Sequence, residues 1–530
     1  MVPAEDVLRG VCGAADQIMV SIKTPLKRNR LGGFLRRNSM ERLYAEREEP
    51  SLGTFAERFD VDKIFDRGGA EHFRLPCAAT TPTAMKNNQV CPLNDYLPIC
   101  NELLFDVGME LREQRGCSLS LVCFQLSAAE VVPPRDADLC RANTFLRWLL
   151  RTHVCITDLV LKGKWVTAHS QVFLEELPEN CRLRNLNVEF SFGEIEQAHF
   201  ATLLPRLRCL EELKCYMSPT SDTLLAAISL LLRNTMCLTS LVFYARFENC
   251  QPPQQFIDAL SANTTLKSLE MWENWNTDEP PGTLGEYVSS NQLLTSLSLF
   301  GEETDREELL LEEALVPNTT ISALVISSSD NLVYNDHFAA TIGFSRCITR
   351  LFYVTSKPEW NPTGFVVRLS ETIDGNFNLL NVDLCNAKVD AEAKHCLFTI
   401  RETTRRNSGL VERAAAFKLT APLDWYTANA LEKVSRRPTL VRELAEKEGM
   451  AADEVASTIR SRLRSVEGLH DFMRLTGVVK EHVTCARPVD RRGVQLQDLN
   501  AYCWRIVRRY LSFDDVKRLT VAMSDNSTPG

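Results

Sequence analysis

The chain has 530 residues, enough for two to four domains of ordinary size, with 45% hydrophobic and 24% charged residues. Its net charge of −9 excludes wholesale nucleic-acid binding. No run of 18 apolar residues occurs, so no membrane span is expected.

The N-terminal stretch MVPAEDVLRGVCGAADQIMV lacks the charged start and long apolar core of a secretory leader, which predicts a cytoplasmic or nuclear protein. Residues 21–44 carry seven basic residues and one acidic, with Pro and Gly that oppose one long helix. Residues 1–60 therefore read as a basic tail, and RRNS (36–39) resembles a basophilic kinase site. Within 61–116, NDYLPICNELLFDVGMELREQR (94–115) predicts a helix that caps the segment beginning at residue 117.

The chain has 18 cysteines with no close CxxC pair, and several, Cys155, Cys215, Cys237, Cys347 and Cys385, sit in apolar runs. In a reducing compartment these read as small buried hydrophobes. His72, Cys77, Cys91 and Cys100 are the one set with any ligand character. Their loose spacing predicts no metal and no cofactor.

From residue 117 to 410 the dominant signal is a repeat. The pattern apolar-x-x-apolar-x-apolar begins at Ile156, Leu183, Leu210, Leu238, Leu266, Leu294, Ile321, Ile348 and Leu379, at intervals of 27, 27, 28, 28, 28, 27, 27 and 31. A degenerate unit starts at Leu121 (LVCFQL). The last two apolar residues of each motif suit a short strand with one buried face. Amphipathic helical stretches such as TLLAAISLLLRN, QFIDALSAN and FVVRLSETI precede the strands. Asn180, Asn234, Asn263, Asn291, Asn318 and Asn376 fall between helix and strand, where an αL helix terminus is expected. One such unit cannot bury its own apolar face, so the units must stack.

The motif resembles the leucine-rich repeats of the ribonuclease-inhibitor-like class. The resemblance implies an α/β solenoid, with a curved parallel sheet inside, helices outside and helical caps. It covers residues 117–410. The family's Asn eight residues after the first Leu is matched only by Asn274; Ser191, Ser218, Ser329 and Ser356 stand there elsewhere. Repeat sets of this kind without a nucleotide-binding module are also similar to the NLR-like intracellular repeat proteins expanded in ticks and mites.

The family's concave sheet is its usual binding face, which points to partner-binding residues. The position after each third apolar residue carries Tyr216, Tyr244, Trp272 and Phe300 in four successive units, and Glu270 and Phe352 lie in the neighbouring column. Aromatic side chains on a rigid sheet make good contact anchors. The competing reading is that these rings fold over the sheet and fill gaps in it. The acidic run GEETDREELLLEE (301–313) is either a solvated helix face or a lure for a basic partner.

Catalytic signals are missing. No GxxxxGK[ST], HExxH, GxSxG or DFG motif occurs, which predicts a non-enzymatic protein. The repeat family includes an activator of the Ran GTPase that uses a loop arginine; Arg246 is the one residue that would carry that role here.

After Leu410 the periodicity stops. Residues 411–490 are charged, amphipathic and helical, with Pro438 dividing two helices and Asp453 as an N-cap. The final segment, 491–530, contains LQDLNAYCWRIVRRYLSFDDVKRL. Leu499, Cys503, Ile506, Val507, Tyr510 and Leu511 are expected on one broad helical face; of these Leu499, Cys503, Val507 and Leu511 match the core of a SOCS-type box, and the I…YL…DV pattern is similar to an F-box. That resemblance implies an elongin/cullin or Skp-type adaptor as partner. Asp498 departs from the small residue usual there, and the Pro-rich continuation is missing. The alternative is a helix packed on the C-terminal cap. The sequence as a whole therefore predicts a protein-interaction module of sensor or scaffold type, with a ubiquitin-ligase adaptor and a GTPase activator as the alternatives.

Overall fold

The computed structural model describes residue 77 and most of residues 91–516; outside the described residues lie 1–76, 78–90, 485–494, 517–530 and further segments, including 163–172, 246–253, 274–281 and 302–311. The basic tail, the RRNS site, His72, Asn180, Arg246, Asn274, the four loop serines and most of the acidic run fall outside them.

Alternation of side chains decides the strands. In Glu212–Tyr216, Leu213 and Cys215 are buried while Glu212, Lys214 and Tyr216 are half-exposed, the period-2 signature of a strand with one face on a core. Eleven strands form one sheet in chain order. They are β1 Met109–Glu113, β2 Leu119–Cys123, β3 Ile156–Lys162, β4 Asn185–Glu189, β5 Glu212–Tyr216 and β6 Ser240–Ala245. After these come β7 Ser268–Glu273, β8 Ser296–Gly301, β9 Ala323–Ser328, β10 Arg350–Thr355 and β11 Asn381–Cys385. β1 and β2 pair antiparallel, whereas β2 through β8 run parallel, as do β10 and β11. The register matches the repeat arithmetic: Leu186 lies beside Leu213, Leu241 beside Leu269, and Leu269 beside Leu297.

Helices alternate with the strands: α1 Leu97–Phe105, α2 Asp136–Thr152, α3 Glu194–Leu203, α4 Asp222–Asn234, α5 Gln254–Ala262, α6 Gly282–Ser290, α7 Leu332–Phe344 and α8 Thr363–Thr372. Each turns one apolar stripe to the strands. Phe243 of β6 meets Phe256 of α5 edge-on at 5.0 Å, and Tyr353 of β10 stacks on Phe365 of α8 at 4.6 Å. Beyond β11 come α9 Ala391–Ala414, α10 Trp425–Ser435, α11 Pro438–Glu448, α12 Ala452–Arg464, α13 Leu469–Leu475 and α14 Ala501–Arg508. By contacts the chain divides into two units, Met1–Thr320 with Val325–Ser329, and Ile321–Leu324 with Asp330–Gly530.

The asparagines do their work through the side chain. Asn263 Oδ1 accepts from the backbone N–H of Thr265 and Leu266, while its Nδ2 donates 2.7 Å to the Leu232 carbonyl in the last turn of the preceding repeat's helix. Asn318 and Asn376 repeat the pattern onto Val288 and Gly343. The asparagine therefore follows its own helix, as expected, with the Asn263 N–H donating to the Ala259 carbonyl, and its side chain also reaches carbonyls that the previous helix leaves open. A second ladder runs beside it: Thr239, Thr295 and Thr349 hydroxyls donate to the carbonyls of Glu211, Lys267 and Ser322, one repeat back.

Three local expectations are corrected. The helix predicted over 94–115 ends at Phe105, because Gly108 takes φ 65° and the chain leaves as β1, with Met109 and Leu111 inward. The degenerate first unit is out of register: Leu121 pairs beside Leu159, the second apolar position of its neighbour rather than the first. Asp453 lies in the first turn of α12, and Ala451 is the N-cap. Pro438 does separate α10 from α11.

Candidate functional site

The face of the sheet turned away from the helices is the first candidate. It changes character along the strands. Over β3 to β5, Asp158, Val160, Asn185, Asn187, Glu212, Lys214 and Tyr216 are all half-exposed. Asn185 Nδ2 donates 2.6 Å to Asp158 Oδ1, and Lys214 Nζ lies 3.2 Å from Glu212. Asn187 Oδ1 finds no hydrogen-bond partner among the described residues. From β6 to β10 the same column closes, with Val242, Glu270, Ser298, Val325 and Phe352 buried, and at β11 it opens again at Asp383.

The predicted contact row therefore splits. Tyr216 is half-exposed, while Glu270, Phe300 and Phe352 are buried, so these three do not present an open surface. Tyr244, Trp272 and Phe300 do stand in one register across β6, β7 and β8. Lys214 and Asn187 carry the open part of the face, and neither has an aromatic ring to mark it in the sequence.

The C-terminal helix is the second candidate. Asn500 caps α14 through a bond from the Cys503 N–H to its Oδ1. The helix is held by Trp504, which is buried between Phe472 and its neighbours and donates Nε1–H to the Glu467 carbonyl at 2.7 Å. Val507 and Leu511 pack on the same cluster, and Leu499 and Cys503 are half-buried. Beside them, Glu432 is buried and accepts from Arg508 (2.9 Å), Arg436 (3.1 Å) and the Phe513 N–H (2.9 Å). The predicted single face is corrected: Ile506 is exposed beside Tyr502 on the solvent side of α14, and Tyr510, just past its end, is exposed too, because burial of Trp504 turns the helix the other way.

The described residues also contain one cluster with metal-ligand character. Cys77, Cys91, His153 and Cys155 are all buried, and one donor atom from each lies within 4.8 Å of the others. Of the loose set noted in the sequence, it keeps Cys77 and Cys91. Cys100 is buried in α1, where burial pushes its thiol up to about 12. Hydrogen bonding to Cys77 and Cys91, together with burial, raises the Cys155 thiol. Burial opposes a charged His153, but hydrogen bonding to the same two thiols outweighs it and raises the imidazole.

No protein-family model matches the chain, and no curated protein is significantly similar to it. No described helix is long and apolar enough to cross a membrane.

Proposed function

We propose that the chain is a non-catalytic protein-interaction module of the leucine-rich-repeat kind, a scaffold or sensor that takes its partner on the sheet face over β3–β5. The observation that carries this reading is the contrast along one column, half-exposed at Val160, Asn187 and Lys214 and buried from Val242 to Phe352. A polar, partly open strip carrying Asp158, Asn185, Asn187, Glu212 and Lys214 is suited to a hydrogen-bonding protein surface. Tyr216 at its border supplies an aromatic anchor. The test is proximity labelling in the source cell with the wild type and with Lys214→Glu combined with Tyr216→Ser. Loss of a defined set of labelled proteins, with an unchanged melting temperature, supports the reading. An unchanged set from the folded variant, and again from Tyr244→Ser with Trp272→Ser, sinks it.

A ubiquitin-ligase adaptor is the second reading, favoured by the exposed residues Tyr502 and Ile506 on α14 and Tyr510 just beyond it. In that reading the packed residues Leu499, Cys503, Val507 and Leu511 build the helix, and the exposed residues meet an elongin/cullin or Skp-type adaptor. Failure of the wild type to bind either purified adaptor ends it. GTPase activation rests on Arg246 alone and ranks third.

A further inference from the structure

The residue three positions before a strand's leading apolar residue has a recurring task in several units of this fold, although Leu207, Thr235 and Ser345 stand there in three others. Asn263, Asn291, Asn318 and Asn376 precede Leu266, Leu294, Ile321 and Leu379 by that spacing, and their side-chain oxygens accept from the backbone. In the unit led by Ile156 the same position is His153. An imidazole cannot accept twice and donate twice as a carboxamide does. Here the ring turns to sulfur: Nδ1 lies 3.5 Å from Cys91 Sγ and 4.0 Å from Cys155 Sγ. Its other nitrogen, Nε2, has no hydrogen-bond partner among the described residues, and the ring is held edge-on to Trp148 at 5.0 Å.

Three thiols and one imidazole, all 2–3% exposed, converge on one point. A disulfide does not account for the set, since none of the three cysteines is in one and a pair would leave a thiol and the imidazole over. Around a tetrahedral zinc ion, bond lengths of about 2.3 Å to sulfur and 2.0 Å to nitrogen place the donors about 3.5 Å apart for sulfur–nitrogen pairs and about 3.8 Å for sulfur–sulfur pairs. The spacing found lies close to those values.

We propose that Cys77, Cys91, His153 and Cys155 form a closed Cys3His site for one structural zinc ion. Thiolate donors select zinc over magnesium or calcium, and four protein ligands leave no open position for catalysis. Binding converts three thiols to thiolates, releases their protons to solvent, and keeps the imidazole neutral with its proton on Nε2. The ion would tie Cys77 and the start of the segment Pro92–Phe105 to the turn between α2 and β3. It thereby fastens the entry of the sheet where the asparagine ladder is missing.

The experiment uses the full chain, untagged and purified with a reductant and no chelator. Elemental analysis is expected to find about one zinc per chain. Cys91→Ser is expected to weaken zinc affinity by about 100-fold or more in a chelator competition. If that variant does not fold, the wild type reloaded with Co2+ decides: thiolate-to-cobalt charge-transfer absorption and intense tetrahedral visible bands support the site. Less than about 0.1 of any first-row metal per chain, with no charge-transfer band on Co2+ addition, overturns it.

Discussion

Residues 263–266 and residues 153–156 stand at the same point of the repeat and fasten it by different chemistry. At the first, Asn263 bonds two N–H groups ahead and one carbonyl of the previous helix. At the second, His153 faces Cys91 and Cys155. The middle of the array is thus held by many small, repeated bonds, none of them indispensable. An end lacks a neighbour on one side and needs a concentrated fastening. The exit of the chain shows the same economy. Asn407 of α9 donates to the Asn376 and Leu379 carbonyls, which closes the last ladder, and Glu432 gathers Arg508, Arg436 and the Phe513 N–H in one buried knot.

Breaking a concentrated fastening should cost most. Glu432→Ala leaves Arg508, whose side chain is 11% exposed, without its carboxylate, and a loss of about 3–5 kcal/mol is expected in urea unfolding. Trp504→Ala removes a buried ring and its bond to Glu467, again about 3–5 kcal/mol by the same measurement. A ladder residue should cost less. Asn318→Ala strands the Val288 carbonyl and the Thr320 N–H, which predicts about 1–3 kcal/mol in thermal denaturation. The open strip should cost least: Tyr216→Ser is expected to shift stability by no more than about 0.5–1 kcal/mol while reducing partner capture. Equal losses at Asn318 and Glu432 would erase the distinction between middle and ends.

Much of the array was legible because a repeat states its own register. The spacing of Leu213, Leu241, Leu269 and Leu297 is the spacing of the strands. Asparagine was recognisable as a turn residue, but its partner was not, because the Leu232 carbonyl lies 31 residues away. The threonine ladder at Thr239, Thr295 and Thr349 has a plain signal, a Thr directly after the leading apolar residue in those three units, which reads equally well as strand propensity. Burial of Glu270, Phe300 and Phe352 depends on what surrounds each strand, so alternation alone placed them on the right face but not at the surface. The thiol cluster stayed hidden for a related reason. Nearness in sequence favoured His72 and Cys100, whereas His153 lies 62 residues beyond Cys91. In the short helix α14 the pattern grouped Ile506 and Tyr510 with Cys503 and Val507 on one face, whereas burial of Trp504 leaves Ile506 and Tyr510 exposed.

A metal fastening at the entry of the sheet, where later repeats use asparagine, is put at risk by a single change, His153→Asn. This substitution restores the residue that the repeat itself prefers. Thermal unfolding is measured with and without a chelator for the wild type and the variant. A metal-fastened entry gives a folded variant that holds little zinc, melts below the wild type, and no longer responds to chelator. A variant that equals or exceeds the wild type, with chelator moving neither, would contradict the metal fastening.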